Sequence, residues 1–320
     1  MMRRKALDAL EIAGRAKADT TGMFARAMPF PLDIDKLTSV IAVINLKGGV
    51  GKSTIAINLA CELASRQSIV LVDADTQATA ADWAGRGELP IRVEALPLEA
   101  ASDLDSWVHR VLNIKADHIV IDCPPHIGPA AFAAIGISDV VLVPVTPSGA
   151  DLVATDTVLD LVRHAQDTRR DSGPLCLLVP SKVDRRTAAG REITVALKRF
   201  NEPVGPEVRQ RAALADAFGV GAWIGQYAPR SDAREDFRNL AGALKRRWLM
   251  ELKRQRGAEE SAALSDTLSG VRATSGRRRG PSTGRDAPSR SASGMFKCRP
   301  KPISSKVSAS RLIADLGGTN

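Results

Sequence analysis

Short β-branched apolar runs recur along the chain, each bounded by turn residues: VIAVINL at 40–46, SIVLVDAD at 68–75, HIVIDCP at 118–124, DVVLVPV at 139–145 and PLCLLVPS at 174–181. Their apolar positions are consecutive rather than alternate, which predicts strands buried on both faces, as in a parallel sheet. Between them the period lengthens. KSTIAINLACELASR at 52–66 brings Ile55, Leu59, Ala60 and Leu63 to one face, and ADLVATDTVLDLVRHAQD at 150–167 also reads as a helix. A last amphipathic helix is predicted over 232–255, with Phe237, Leu240, Leu244, Trp248 and Leu252 as its stripe. Strand and helix in alternation predict an α/β fold, a doubly wound, mostly parallel sheet with helices on both faces.

Composition changes the picture only at the ends. A length of 320 residues suggests roughly two domains of about 150 residues, yet the pattern supports a single globular body over 39–256. Residues 1–38 are an extension expected to be partly helical. From 257 to 320 the chain becomes rich in Ser, Arg and Gly, as in SGRRRGPSTGRDAPSRSASG, with too few large apolar side chains to offset ordering entropy, so a disordered tail is expected. Residues 251–320 hold 14 Lys and Arg against 6 Asp and Glu, nearly all of the net charge of +9, and the body is close to neutral. Such a tail attracts nucleic acid or anionic lipid without sequence readout, or simply solubilises the chain.

Neither an apolar run of 18 or more residues nor an apolar signal core is present, so a cytoplasmic location is expected, without a membrane span. Cys61, Cys123, Cys176 and Cys298 are scattered, with no C-x-x-C pair and no histidine at ligand spacing, which predicts reduced thiols, the first three in the core.

The chemistry concentrates in NLKGGVGKST at 45–54, which follows a predicted strand and opens a predicted helix, the setting a phosphate-binding loop requires. Gly48, Gly49 and Gly51 let the backbone wrap phosphate oxygens, and the N–H groups around Val50, Ser53 and Thr54 face the anion with the positive end of the helix dipole. Lys52 would pair with the β and γ phosphates and the Ser53 hydroxyl would coordinate Mg²⁺. The front of the pattern is altered, because Leu46 stands where a glycine is usual and a second lysine, Lys47, follows it. Taken alone, Lys47 reads as a solvated loop lysine.

KGGVGKST resembles the deviant Walker A motif of the ParA/MinD ATPases, whose early lysine is their signature. VLVDADTQA at 70–78 resembles that family's second acidic motif, with Thr76 in place of the customary proline, and HIVIDCPPH at 118–126 its Walker B segment. VLVPVTPSGADLVA and IGQYAPRSDAREDFRNLAGALK resemble later segments, so the likeness covers about residues 39–248. The resemblance implies a P-loop ATPase of the ParA/MinD type that uses ATP and Mg²⁺, in which two subunits sandwich two nucleotides and Lys47 crosses to the partner's phosphates. It implies that Asp75 orients the attacking water, Asp73 supports the metal shell and Asp122 holds Mg²⁺ through water. Two carboxylates after a strand equally suit helix capping or turn chemistry.

The small partitioning ParA proteins are the branch that fits best. They bind DNA nonspecifically as ATP-bound homodimers on the nucleoid and are released when a ParB-like centromere-binding protein stimulates hydrolysis. Arg185, Arg186, Arg209, Arg211, Arg230, Arg234 and Arg238 are the candidate DNA contacts, each also readable as a solvated arginine. A MinD-like positioning or regulatory ATPase that docks on membrane through its last helix is the alternative, and a small-molecule enzyme resembling dethiobiotin synthetase a third reading. Iron–sulfur relatives and tyrosine kinases of this fold are disfavoured by the cysteine pattern and by Tyr227 being the only tyrosine. RLIADLGGTN at 311–320 resembles a phosphate-binding turn of glucokinase-like sugar kinases and is assigned no function.

Overall fold

Seven parallel strands form one sheet in the computed structural model, which describes residues 38–65, 67–169 and 173–247. They are β1 (Ser39–Val43), β2 (Ile69–Asp73), β3 (Arg92–Ala95), β4 (His118–Asp122), β5 (Val140–Val145), β6 (Leu175–Val183) and β7 (Val208–Arg209). Their order is β3-β2-β4-β1-β5-β6-β7. All five expected strands are present. β1, β2 and β4 end earlier than their apolar runs, at Val43, Asp73 and Asp122, because the residues that follow turn away to build the site. β3 and β7 were not legible: RVEA is an edge strand with no buried position, and VR is only two residues long.

Helices α1 (Lys52–Leu63), α2 (Thr79–Gly85), α3 (Leu104–Leu112), α4 (Pro129–Ile137), α5 (Gly149–Thr168), α6 (Ala188–Leu197), α7 (Ala212–Gly219) and α8 (Ile224–Tyr227) precede a last helix, α9, over 232–247. They cover both sheet faces, as the doubly wound pattern requires. Strand residues alternate between two cores: Val40, Ala42 and Ile44 join α3, α4 and α5 on one side, and Ile41 and Val43 join α1, α2 and α9 on the other. Apolar area removed from water at roughly 25 cal/mol per Å² is what holds these layers together. The stripe Phe237, Leu240 and Leu244 of α9 is buried in the second core. Trp248, Leu252, Cys298, the extension over 1–37 and the tail with RLIADLGGTN lie outside the described residues.

β1 lies between β4 and β5, and the chain runs outward to β2 and β3 before returning to β4. Reversal of strand order beside β1 opens a crevice at the carboxyl ends of the strands, where ligands of open α/β sheets bind. The segment after α7 is fastened to α1 and α2. Asn58 Oδ1 on α1 accepts the Ile224 N–H at 2.7 Å, and Trp83 Nε1 on α2 donates to the Ala222 carbonyl at 3.0 Å. Gly221, at φ +69°, approaches the Arg86–Gly87 backbone so closely that an added Cβ would lie 2.4 Å from it.

Candidate nucleotide-binding site

β1 leads into residues 44–51, and α1 begins at Lys52 with no side-chain cap. The N–H groups of its first turn are therefore left for an anion, on the positive end of the helix dipole. Gly49 and Gly51 have φ of +78° and +94°, a left-handed conformation that a Cβ would strain. Nothing lies within 4 Å of a Cβ added at Gly48 or Gly49, so the loop opens onto space that can receive phosphate groups. Three bonds brace it from behind. Ser181 Oγ donates to the Val50 carbonyl at 2.7 Å, Asn45 Nδ2 donates to the Pro144 carbonyl at 2.6 Å, and Asn45 Oδ1 accepts the Lys47 N–H at 3.0 Å. The first two escaped sequence reasoning, since their partners sit on other strands far along the chain.

Lys52 is buried and its Nζ donates to the Lys47 carbonyl at 3.0 Å. Burial lowers its pKa, and the neighbouring carboxylates, Asp122 first and then Asp75, oppose that shift. Asp122, at the end of β4, is fully enclosed. Burial pushes its carboxyl up to about 7, and a hydrogen bond with the Ser53 hydroxyl pulls the other way. Its Oδ1 is buried with no hydrogen-bond partner. An orphaned carboxylate oxygen beside a hydroxyl, next to the phosphate cradle, suits a hard cation that binds oxygen, and the residues therefore fit Mg²⁺. Among the described residues no cluster of three or more His, Cys, Asp or Glu could hold a metal ion on its own.

The two carboxylates after β2 separate in role. Asp73 pairs in register with Asp122, but its oxygens accept the Asp75 and Ala81 N–H groups at 3.1 and 2.9 Å. It fastens the acidic loop and the start of α2, and burial raises its pKa against those same bonds. Its oxygens are thus engaged by backbone N–H groups, the turn chemistry left open in the sequence. Asp75 is half-buried and caps its own turn by accepting the Gln77 N–H at 3.0 Å.

Lys47 is partly exposed, but its ammonium is engaged within its own chain. Its Nζ forms an ion pair with Asp151, in the first turn of α5, and the Thr146 hydroxyl donates to the other oxygen of the same carboxylate. Sequence reasoning missed Asp151, because an aspartate in the first turn of a helix is already accounted for by the dipole.

The candidate arginines fall into two groups. Arg211 bonds Asp236 and Asp232, and Arg234 bonds Glu62 on α1 and covers the Trp223 ring. Both side chains are only 22% exposed and tie elements together, so an open DNA-binding role is not where their geometry places them. Arg185 and Arg209 share Glu207, Arg186 pairs with Asp184, and Arg238 pairs with Glu62 and Glu235, all on more open side chains. Arg230 is exposed and forms no ion pair with a described residue. Cys61, Cys123 and Cys176 are buried, reduced and held protonated by burial, as expected of packing thiols.

Residues 41–222 match the CobQ/CobB/MinD/ParA nucleotide binding domain. The chain is 30% identical over 200 residues to the maintenance of carboxysome distribution protein A of Halothiobacillus neapolitanus, covering 61% of this chain and 91% of that protein. It is 30% identical over 234 residues to the chromosome-partitioning ATPase Soj of Thermus thermophilus, covering 63% and 93%. The septum site-determining protein MinD of Pyrococcus horikoshii, solved with Mg-ADP, superposes with a TM-score of 0.55 at 19% identity, over 67% of this chain and 98% of that one.

Proposed function

This chain belongs to the CobQ/CobB/MinD/ParA nucleotide-binding family and is a ParA/MinD-type ATPase, and from that premise we propose that it distributes a cargo by an ATP-driven cycle on DNA. ATP closes a homodimer, the dimer binds nucleoid DNA nonspecifically, and a ParB-like partner stimulates hydrolysis and releases it. The observation that supports this reading is Lys47, a second lysine in a loop that already has Lys52, its ammonium paired with Asp151 while Lys52 Nζ bonds the Lys47 carbonyl.

Each residue then has a task. The first-turn N–H groups of α1 and Lys52 would hold the phosphates, and Ser53 with Asp122 would hold Mg²⁺, which when bound would supply charge neutralisation to the nucleotide. Asp75 orients the attacking water. Lys47 of one copy reaches the phosphates of the other, and cations delivered in trans contribute about 10³ to 10⁵ in rate. Relatives named for chromosome partitioning and for carboxysome distribution support a shared positioning cycle with different cargo.

A MinD-like membrane reading is less supported by the described part of α9, where Phe237, Leu240 and Leu244 are buried against the helix's own sheet. No described helix is long and apolar enough to cross a membrane. A DNA shift assay beside liposome sedimentation, each with and without ATP, separates the two readings. We expect ATP-dependent DNA binding whose affinity falls by roughly 0.9 log unit per log unit of salt for each phosphate neutralised. Binding that ignores salt or ATP, or capture by liposomes alone, overturns the DNA cycle.

A further inference from the structure

Asp151 is enclosed, its side chain 1% exposed, whereas the Lys47 side chain that meets it is 42% exposed. Lys47 Nζ occupies one carboxylate oxygen and the Thr146 hydroxyl the other. The Asp151 backbone is equally fixed, with its N–H on the Ser148 carbonyl at 3.1 Å and its carbonyl accepting the Thr155 hydroxyl at 2.8 Å. The loop backbone at Lys47 is anchored through Asn45 to the end of β5, the same strand end that bears Thr146. Only the lysine side chain, on a flexible four-carbon stem, is able to leave.

A carboxylate this enclosed is stable as an anion only while a cation remains beside it, and withdrawing one partner leaves an uncompensated buried charge. Two anionic sites therefore compete for a single ammonium: Asp151 in the same chain, and the nucleotide phosphates of a second copy. A triphosphate presents more charge than a diphosphate, so the cost of vacating Asp151 is met more readily by ATP than by ADP.

We propose that Asp151 is a positioning residue that retains Lys47 within its own chain and so sets how much phosphate charge a second copy must present before the dimer closes. This rests on the reading of Lys47 as a residue that acts in trans. Thr146 moderates the retention, because its hydroxyl satisfies the carboxylate oxygen that Lys47 leaves uncovered.

Two substitutions should move the threshold in opposite directions. Asp151→Asn keeps the shape and an acceptor but removes the charge. The concentration of a nonhydrolysable ATP analogue that gives half-maximal dimer, read by sedimentation velocity, should fall about tenfold, equivalent to about 1.4 kcal/mol. The gap between the ADP and analogue thresholds should narrow with it. Thr146→Val removes the hydroxyl and leaves Lys47 as the sole side-chain partner of the carboxylate, so the threshold should rise. Near-UV circular dichroism of each variant reports its fold, and the valine variant carries the test if the asparagine one does not fold. Thresholds that stay at the wild-type value, or an Asp151→Asn variant that needs more analogue, overturn the proposal. Lys47→Ala distinguishes this failure from a deeper one. If it still dimerises like wild type, the trans role itself is wrong. If it fails to dimerise while Asp151→Asn and Thr146→Val match wild type, only the retention by Asp151 is wrong.

Discussion

Asp122 shows how far a single residue can be read. Its position after an apolar strand was legible, but its burial was not, because that depends on β1 and β2 closing around β4. Its carboxyl is raised from the ordinary 3.8 to about 7, so the folded chain binds a proton there more tightly than the unfolded chain. Stability from this group is therefore fully present below about pH 4, and it declines as the pH rises towards 7. Asp122→Asn should remove that decline and raise metal-free stability at pH 8 by on the order of 2–4 kcal/mol, measured by urea unfolding, while abolishing Mg²⁺-dependent turnover. Equal stability of the two proteins at pH 8 would contradict the burial argument. The glycines of the loop were legible for a simpler reason: a left-handed φ at Gly49 and Gly51 is a local demand. Asp151 was hidden because its partner is 104 residues away.

Elements were legible where burial was complete and obscure where it was shared. β1, β2, β4 and β5 bury every position, or all but one, and their apolar runs announced them. β3 and β7 gain their structure from neighbours and carry little pattern of their own. The stripe of α9 was visible in the sequence, but amphipathicity alone could not say whether it meets a membrane or a sheet. Within the described part of the helix, Phe237 meets the sheet, being wholly enclosed among residues of α1 and the strands. Phe237→Ala should destabilise the domain by about 3–5 kcal/mol, the range for deleting a large buried aromatic side chain. A change below about 1 kcal/mol in thermal or urea unfolding would mean that α9 is loosely held, and would revive the membrane alternative.

At the scale of the whole molecule, charge divides by position. The basic excess lies in residues 251–320, and the body carries arginines that are mostly matched by carboxylates. Composition exposed the first fact, but the pairing joins residues far apart in sequence and follows only from the folded arrangement. Arg234→Ala should lower stability by about 1–3 kcal/mol, since it leaves Glu62 less compensated and uncovers Trp223. Arg186→Ala and Arg230→Ala, on open side chains, should leave the unfolding midpoint close to wild type and, under the proposed DNA cycle, reduce the salt slope of DNA binding by about 0.9 for each phosphate no longer neutralised. The reverse pattern, with Arg234 governing the slope, would contradict the proposed placement of DNA contacts on the open arginines. What unites these scales is the proposal that Lys47 acts on a second copy, and complementation between inactive proteins tests it most directly. Lys47→Ala retains a cradle but delivers no ammonium, and Lys52→Ala delivers Lys47 but lacks the lysine of its own cradle. Mixing the two with ATP and Mg²⁺ should restore turnover well above either variant alone, because each mixed dimer completes one site. A mixture no more active than its parents, with both variants folded and mixed dimers present, would mean that Lys47 works only within its own chain.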